Sequence, residues 1–327
     1  MLMKICILGC GAYGIALSLM FNENNNNIIM WTKFKEEKDD INKKRENDKV
    51  LKGVKIPDNI IITDDMKEAV KEANLIVIAV PAGAVDDVAM ELKNYYKKRQ
   101  HICIASKGIE QESCHFVENV VSKYIKTNKL AVISGGSFAI DIVRKVPIGL
   151  SLATKNKSTE KILKSTLQNK YLKLRTTNDI LGVEVCGSIK NVIAIASGML
   201  HGLGYPESTQ CMFITESLHD IKNLIKALGG SKKTILSFAG FGDLLLTCTS
   251  YKSRNFTLGR MIGEKKDKKE IQEYMDNTTI EGLYTLKSIY KLIKNKNVDM
   301  PIIDLIYDII YKDVDPNELA TFLINKK

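Results

Sequence analysis

Three stretches of this 327-residue chain carry residue types at spacings that suit chemistry. The first is Gly9-Cys10-Gly11-Ala12-Tyr13-Gly14, with the spacing G-x-G-x-x-G. Gly9 permits a tight turn, Gly11 lets a pyrophosphate approach the backbone, and Gly14 lets a following helix pack closely on the preceding strand. The helix N-terminus then offers N–H groups and the positive end of its dipole to phosphates. The second is Lys190, whose neighbours at helical spacing, Cys186, Gly187, Ile193 and Ala194, are uncharged and mostly apolar. A lysine in that setting either snorkels to water or sits in a cleft, where desolvation suits an amine to general acid–base work. The third runs from Phe238 to Thr249 and on to Ser253-Arg254-Asn255. Asp243 is the one acid in that glycine-rich apolar run and stands either as a helix cap or as a functional group. An arginine beside hydrogen-bonding side chains at a helix start suits a phosphate.

These groups need elements to hold them. Short β-branched runs at Lys4–Leu8, Ile28–Trp31, Leu75–Val80, His101–Ala105, Leu130–Ser134 and Ile148–Leu152 read as strands. Helical spacing appears between them at Ala12–Phe21, Lys35–Arg45, Asp64–Ala73 and Val85–Tyr96. Nearly continuous apolar strands alternating with helices predict a mainly parallel sheet covered on both faces. From about Asp179 the period changes and the chain reads as helical. Ile180–Leu200, Ser208–Leu228 with a C-cap at Gly229-Gly230, Glu281–Ile293 and Ile302–Tyr311 are the clearest segments, and Pro301 suits the first turn of the last. The expected fold class is therefore α/β. Residues 1–178 form a Rossmann-like doubly wound dinucleotide-binding domain, and residues 179–327 an all-helical substrate-binding and catalytic domain.

The end of the second strand bears on cofactor choice. NAD-selective sites usually place Asp or Glu there to bond the ribose 2′-hydroxyl. This chain has Trp31-Thr32-Lys33-Phe34-Lys35. Lys33 and Lys35 either neutralise a 2′-phosphate, which favours NADPH, or are simply solvated; Glu36 and Glu37 follow directly.

Composition narrows the class. The chain is 45% apolar and 26% charged, the balance of a globular protein rather than a disordered, collagen-like or disulfide-scaffold one. The longest nearly uncharged apolar run, Leu75–Val85, is about half of the ~20 residues that span a bilayer, so no transmembrane helix is expected. Ile7-Leu8-Gly9-Cys10 lacks the apolar region of a signal peptide, which makes the cytoplasm the expected location. The seven cysteines show no C-x-x-C pair and mostly sit in apolar stretches, as buried thiols do. The four histidines add no metal spacing, and no metal is expected. The net charge of +10 comes from 48 basic residues of which only six are arginine, dispersed among acids. That is not the concentrated face of a nucleic-acid binder, though it attracts anionic substrates.

Together the segments resemble the bacterial-type NAD(P)-dependent glycerol-3-phosphate dehydrogenases along nearly the whole chain. The stretches that carry the resemblance are Gly9–Gly14, Ala105-Ser106-Lys107-Gly108, Ser134–Ala139, Gly187–Ala196, Gly240–Thr249, Ser253-Arg254-Asn255 and Glu281-Gly282. The resemblance implies reversible hydride transfer between NADP or NAD cofactors and dihydroxyacetone phosphate, giving sn-glycerol 3-phosphate for phospholipid synthesis. It implies that Lys190 donates and accepts the proton, with Asp243 orienting it and Lys107 stabilising developing negative charge. Gly135, Ser137, Ser253, Arg254 and Asn255 become further substrate contacts, with Arg254 best suited to the phosphate. Gly9, Gly11, Ala12, Tyr13, Gly14, Lys33, Lys107, Ala139, Arg254 and Glu281 become cofactor contacts. The expected partner is a small phosphorylated substrate, with no nucleic acid and no membrane span, in an assembly compatible with a homodimer. Ala12-Tyr13 departs from a common Ser-Trp pair, Gly136 from a common Pro, and Glu216 reverses a usual positive charge. A related hydroxyacid dehydrogenase and a nucleotide-sensing module without catalysis are the competing readings.

Overall fold

A computed structural model of the chain describes residues 2–325, so the outermost ends of the two expected domains lie outside the described residues. The chain forms two compact units. One takes Gly108–Phe116 together with the chain from Leu181 onward, and the other takes the remainder up to Ile180.

The first unit is built on β1 (Lys4–Leu8), β2 (Asn27–Trp31), β3 (Ile61–Thr63), β4 (Leu75–Ile78), β5 (His101–Ile104), β6 (Leu130–Ser134), β7 (Ile148–Thr154) and β8 (Leu172–Thr177). They form one sheet in the order β3-β2-β1-β4-β5-β6-β7-β8. β4, β5 and β6 are buried along their whole length, which is why they read as unbroken apolar runs. Strand order reverses between β1 and β4, the position where doubly wound sheets open a ligand crevice at their carboxyl ends. Helices α1 (Ala12–Asn22), α2 (Lys35–Lys44), α3 (Met66–Lys71), α4 (Val85–Leu92), α5 (Val117–Tyr124), α6 (Ala139–Val143) and α7 (Lys157–Leu167) occupy the connections. Ile7, Leu17, Phe21, Met30, Val77 and Ile133 lie in the shared core.

Neighbouring strands are parallel except β6 and β7, which run antiparallel in the register Ala131–Thr154 to Ser134–Ser151. A parallel pair needs a full crossover, and the β6–β7 link carries only the five-residue α6. Two strands go beyond the sequence reading. β3 is three residues long, and β8 (LKLRTT) is a sheet edge with alternating burial, so neither has an apolar run to detect. α5, α6 and α7 were likewise not expected.

The second unit is helical: α8 (Ile180–Gly202), α9 (Glu207–Ala227), α10 (Asp243–Thr249), α11 (Arg254–Gly263), α12 (Lys268–Asn277), α13 (Glu281–Asn295), α14 (Pro301–Tyr311) and α15 (Glu318–Asn325). Every residue of α8 from Gly182 to Leu200 is buried, as expected for a helix that is apolar all round. By length and composition α8 could cross a membrane, but 89% of its most apolar window is buried inside the protein. It is a longer apolar segment than Leu75–Val85 because it absorbs Glu184 and Lys190 without being broken by them. Gly229, with φ +91°, follows the end of α9 in the left-handed conformation that a C-terminal glycine supplies.

Glycines set the contact of α8 with α11. A Cβ at Gly259 would lie 1.8 Å from the Ile195 carbonyl oxygen, and one at Gly198 2.1 Å from that of Phe256. Gly202 and Gly263 meet backbone at 2.2 Å in the same way. Only hydrogen fits between the two backbones, so the helix that carries Lys190 is locked to the one that starts at Arg254. All seven cysteines are free thiols; Cys211 is exposed and the other six are buried. Burial pushes the thiols of Cys6, Cys103 and Cys248 well above the usual range.

Candidate active site

In the first unit the glycine turn joins β1 to α1. Gly9 has φ +121°, and a Cβ there would lie 2.7 Å from the Ala79 carbonyl oxygen. At Gly14 a Cβ would lie 2.2 Å from the Gly9 carbonyl oxygen, so these two glycines are demanded by the protein's own packing. Gly11 is different. It caps α1 in extended conformation with no side-chain cap, and a Cβ there would meet nothing within 4 Å. The open backbone at Gly11, ahead of the first helical rung from Ile15 N–H to Gly11 C=O at 3.0 Å, fits the pyrophosphate of a dinucleotide. Ala12 is the first helical residue. Bound there, the cofactor would be held by Gly9, Gly11, Ala12 and Gly14.

At the end of β2 the acid Glu37 is already engaged. The Glu37 carboxylate accepts from Thr32 Oγ1, and from Asn47 Nδ2 at 3.0 Å, while Asn47 also donates to the Cys10 carbonyl at 3.1 Å. Glu37 therefore braces the glycine turn. Lys33 is exposed, with its Nζ 3.6 Å from the Asp87 carboxylate of α4. Neither Glu37's bracing nor Asp87's position had a signal in the local sequence.

A second cluster in this unit gathers Tyr13, Lys107, Gly135 and Ser137. The Tyr13 hydroxyl and Ser137 Oγ are 3.2 Å apart, and Lys107 Nζ donates to the Gly135 carbonyl at 3.3 Å. Lys107 Nζ also sits 5.9 Å from the centre of the Tyr13 ring, within cation–π range. A Cβ at Gly135 would lie 2.5 Å from the Gly149 carbonyl oxygen, so the loop can hold this course only with glycine. Ala139 opens α6 two residues after Ser137.

In the second unit Lys190 is buried on α8. Its Nζ donates to Asp243 Oδ1 at 2.6 Å and to Thr247 Oγ1 at 3.1 Å. The Thr247 hydroxyl in turn donates to the Asp243 carbonyl at 2.6 Å. Asp243 is the first residue of α10, after the π-type turn Phe238–Gly242, and its side chain is 2% exposed. A Cβ at Gly240 would lie 2.2 Å from the Ile235 carbonyl oxygen, so glycine is what lets the chain turn and deliver Asp243 to Lys190. Of the two sequence alternatives for Lys190, the structure gives burial with a charge partner. Thr247 was missed, although its four-residue spacing from Asp243 on a helix places the two on one face.

Around this pair, Asn191 Nδ2 donates to Glu281 Oε2 at 3.2 Å, and Asn255 Oδ1 accepts from Gly282 N–H at 2.9 Å. Ser253 Oγ caps α11 by accepting from Phe256 N–H at 3.2 Å. Ser253 and Asn255 are thus buried and internally bonded, while Arg254 between them is exposed. Of the three, only the guanidinium presents itself at the surface. Among the described residues no group of three His, Cys, Asp or Glu side chains could hold a metal ion.

Comparison with known proteins decides the family. Residues 4–160 match the profile of the NAD-dependent glycerol-3-phosphate dehydrogenase N-terminus, and residues 179–321 that of its C-terminus. The chain belongs to the NAD-dependent glycerol-3-phosphate dehydrogenase family. A glycerol-3-phosphate dehydrogenase (NAD(P)+) of Staphylococcus aureus is 35% identical over 326 residues, covering 99% of this chain and 98% of its own length. The crystal structure of glycerol-3-phosphate dehydrogenase from Coxiella burnetii superposes with a TM-score of 0.94 at 30% identity, covering 99% of both chains. That of Plasmodium falciparum gives 0.87 at 25% identity, over 100% of this chain and 96% of the other. Membership in the glycerol-3-phosphate dehydrogenase family agrees with the fold class, the oxidoreductase class and the NAD(P) cofactor expected from the sequence.

Proposed function

We propose that this protein reversibly reduces dihydroxyacetone phosphate to sn-glycerol 3-phosphate with NADPH or NADH, in the cytoplasm, as a supply for glycerophospholipid synthesis. The observation that carries the proposal is the buried Lys190–Asp243 pair in a chain of this family. A bound reduced nicotinamide supplies the hydride for the ketone carbon. Lys190 then gives a proton to the forming alkoxide and takes it back in the reverse direction. Asp243 and Thr247 fix the ammonium in place, so its orientation costs nothing at the moment of reaction. Lys107 stabilises negative charge on the substrate, Gly135 and Ser137 position it, and Arg254 takes the phosphate with Ser253 and Asn255 shaping the turn beneath.

Cofactor binding falls to residues 1–178, through Gly9, Gly11, Ala12, Tyr13, Gly14, Lys33, Lys107 and Ala139, joined by Arg254 and Glu281. Residues 179–327 supply the proton and most of the substrate contacts. The same reading takes the protein as one without a membrane span, which the burial of α8 supports.

The test follows the near-ultraviolet absorbance of NADPH and NADH in parallel with purified protein and dihydroxyacetone phosphate. Oxidation should require both the phosphate, with unphosphorylated dihydroxyacetone as control, and Lys190. Lys190→Ala should lose turnover and keep NADPH binding; loss of cofactor binding would give Lys190 a folding role instead. No oxidation by a protein that binds cofactor would overturn the substrate assignment.

A further inference from the structure

Tyr13 lies in the turn proposed for the cofactor, and its hydroxyl lies 3.2 Å from Ser137 Oγ, on the loop after β6. The centre of its ring lies 5.9 Å from Lys107 Nζ. One side chain thus touches two residues assigned to the substrate, and it comes from the segment assigned to the cofactor. We propose that Tyr13 is a positioning residue that aligns the Ser137 hydroxyl and the Lys107 ammonium for substrate, so that the substrate loop takes its alignment from the cofactor turn. The inference rests on the proposed function, because it assumes that Ser137 and Lys107 meet the substrate.

The physical case is in the groups themselves. A serine hydroxyl rotates freely and has one proton to direct. The phenol at 3.2 Å restricts that rotation and leaves Ser137 with a preferred orientation. Lys107 has a flexible four-carbon stem, and its position is narrowed by the Gly135 carbonyl at 3.3 Å and by the ring. Gly135 itself cannot retreat, since its Cα is packed on the Gly149 carbonyl. Four residues from three segments therefore share one arrangement, in which Tyr13, like Lys107, reaches both of the other segments.

Tyr13→Phe keeps the ring over Lys107 and removes only the hydroxyl. The experiment compares wild type, Tyr13→Phe, Ser137→Ala and the double variant. NADPH Kd is read from quenching of Trp31, the single tryptophan, two residues before Lys33. Glycerol 3-phosphate Kd is read by calorimetry on the cofactor-loaded protein, and kcat and KM for dihydroxyacetone phosphate by absorbance. We expect Tyr13→Phe to weaken glycerol 3-phosphate binding and raise KM by about threefold to tenfold, the worth of one hydrogen bond. Ser137→Ala should do the same, and the double variant no more than either single, since the two act as one unit. NADPH Kd reads the separate cofactor-contact role of Tyr13, and a substrate effect that only tracks a loss of NADPH affinity would overturn the positioning role. If Ser137→Ala weakens substrate binding while Tyr13→Phe does not, or if the two effects simply add, the positioning role falls and the site assignment stands. If Ser137→Ala leaves both substrate readouts unchanged, or wild type binds no glycerol 3-phosphate, the assignment falls and takes the positioning role with it.

Discussion

Lys190 Nζ lies 2.6 Å from Asp243 Oδ1, a buried ion pair between residues 53 positions apart in the chain. Asp243→Asn keeps a hydrogen-bond acceptor beside Lys190 and removes the charge that holds the ammonium there. We expect kcat to fall by about 10²–10⁴, the typical weight of positioned acid–base catalysis, with NADPH Kd little changed. Steady-state kinetics beside a fluorescence titration checks this. A kcat within a few-fold of wild type would mean that the pair is structural.

Arg254 opens α11 with its side chain exposed, between two residues whose side chains are spent on internal bonds. Arg254→Ala should raise KM for dihydroxyacetone phosphate by roughly tenfold to a hundredfold, as losing a charge-assisted bond to phosphate does. Cofactor affinity is expected to fall less. Unchanged kinetics with the phosphorylated substrate would remove Arg254 from the phosphate site.

Lys33 and Asp87 form an exposed pair at 3.6 Å beside the end of β2. If Lys33 holds a 2′-phosphate as proposed, Asp87 competes for Lys33 and repels that phosphate. Asp87→Asn should shift the ratio of NADPH to NADH affinity toward NADPH by about twofold to fivefold at low salt, and by less at high salt. The same titration on Lys33→Ala should move the ratio the other way. A ratio that ignores both substitutions would leave Lys33 solvated and without a role in selectivity.

Gly259 is the tightest point where α11 meets α8, with 1.8 Å between a Cβ placed there and the Ile195 carbonyl oxygen. Gly259→Ala must push the helices apart and should destabilise by on the order of 1–3 kcal/mol. Gly83→Ala is the matched control, since a Cβ at Gly83 would meet nothing within 4 Å. Urea unfolding of both variants decides; equal stabilities would show that the contact yields easily.

His101, at the start of β5, is buried with Nδ1 2.8 Å from Thr159 Oγ1. Burial, with the Lys129 charge adding to it, holds its imidazole below the usual range. The unfolded chain therefore takes up a proton below about pH 6.5 that the folded protein resists. Stability should be full above that pH and should be lost as pH falls from there to the folded-state value, by at most about 1.4 kcal/mol per unit from this group. His101→Asn should flatten this part of the profile in urea unfolding at neutral and mildly acid pH. An unaltered slope would assign the dependence elsewhere.

Much of this protein was legible before folding, because the features concerned are local. A G-x-G-x-x-G between an apolar strand and a helix states its own purpose, since turn, phosphate approach and helix packing are each decided within six residues. The buried strands β1, β4, β5 and β6 read clearly because both of their faces are covered. α8 read clearly as well, although the two charges within it hid how long its apolar run is. Edge strand β8 and the short β3 left no comparable trace, since β8 alternates half-buried with exposed residues over its first four positions and β3 has only three residues.

What the tertiary structure alone decided is the pairing of groups that are distant in sequence. Lys190 on an apolar face could have reached water; the turn at Gly240 brings Asp243 and Thr247 to it, and a buried ammonium needs such partners. Likewise nothing local to Lys33 announced Asp87, nor anything near Tyr13 the hydroxyl of Ser137. Sequence determines which groups are available and which backbone shapes are allowed. Which charge meets which is decided by packing, because an interaction that acts over a few ångströms depends on where whole elements come to rest.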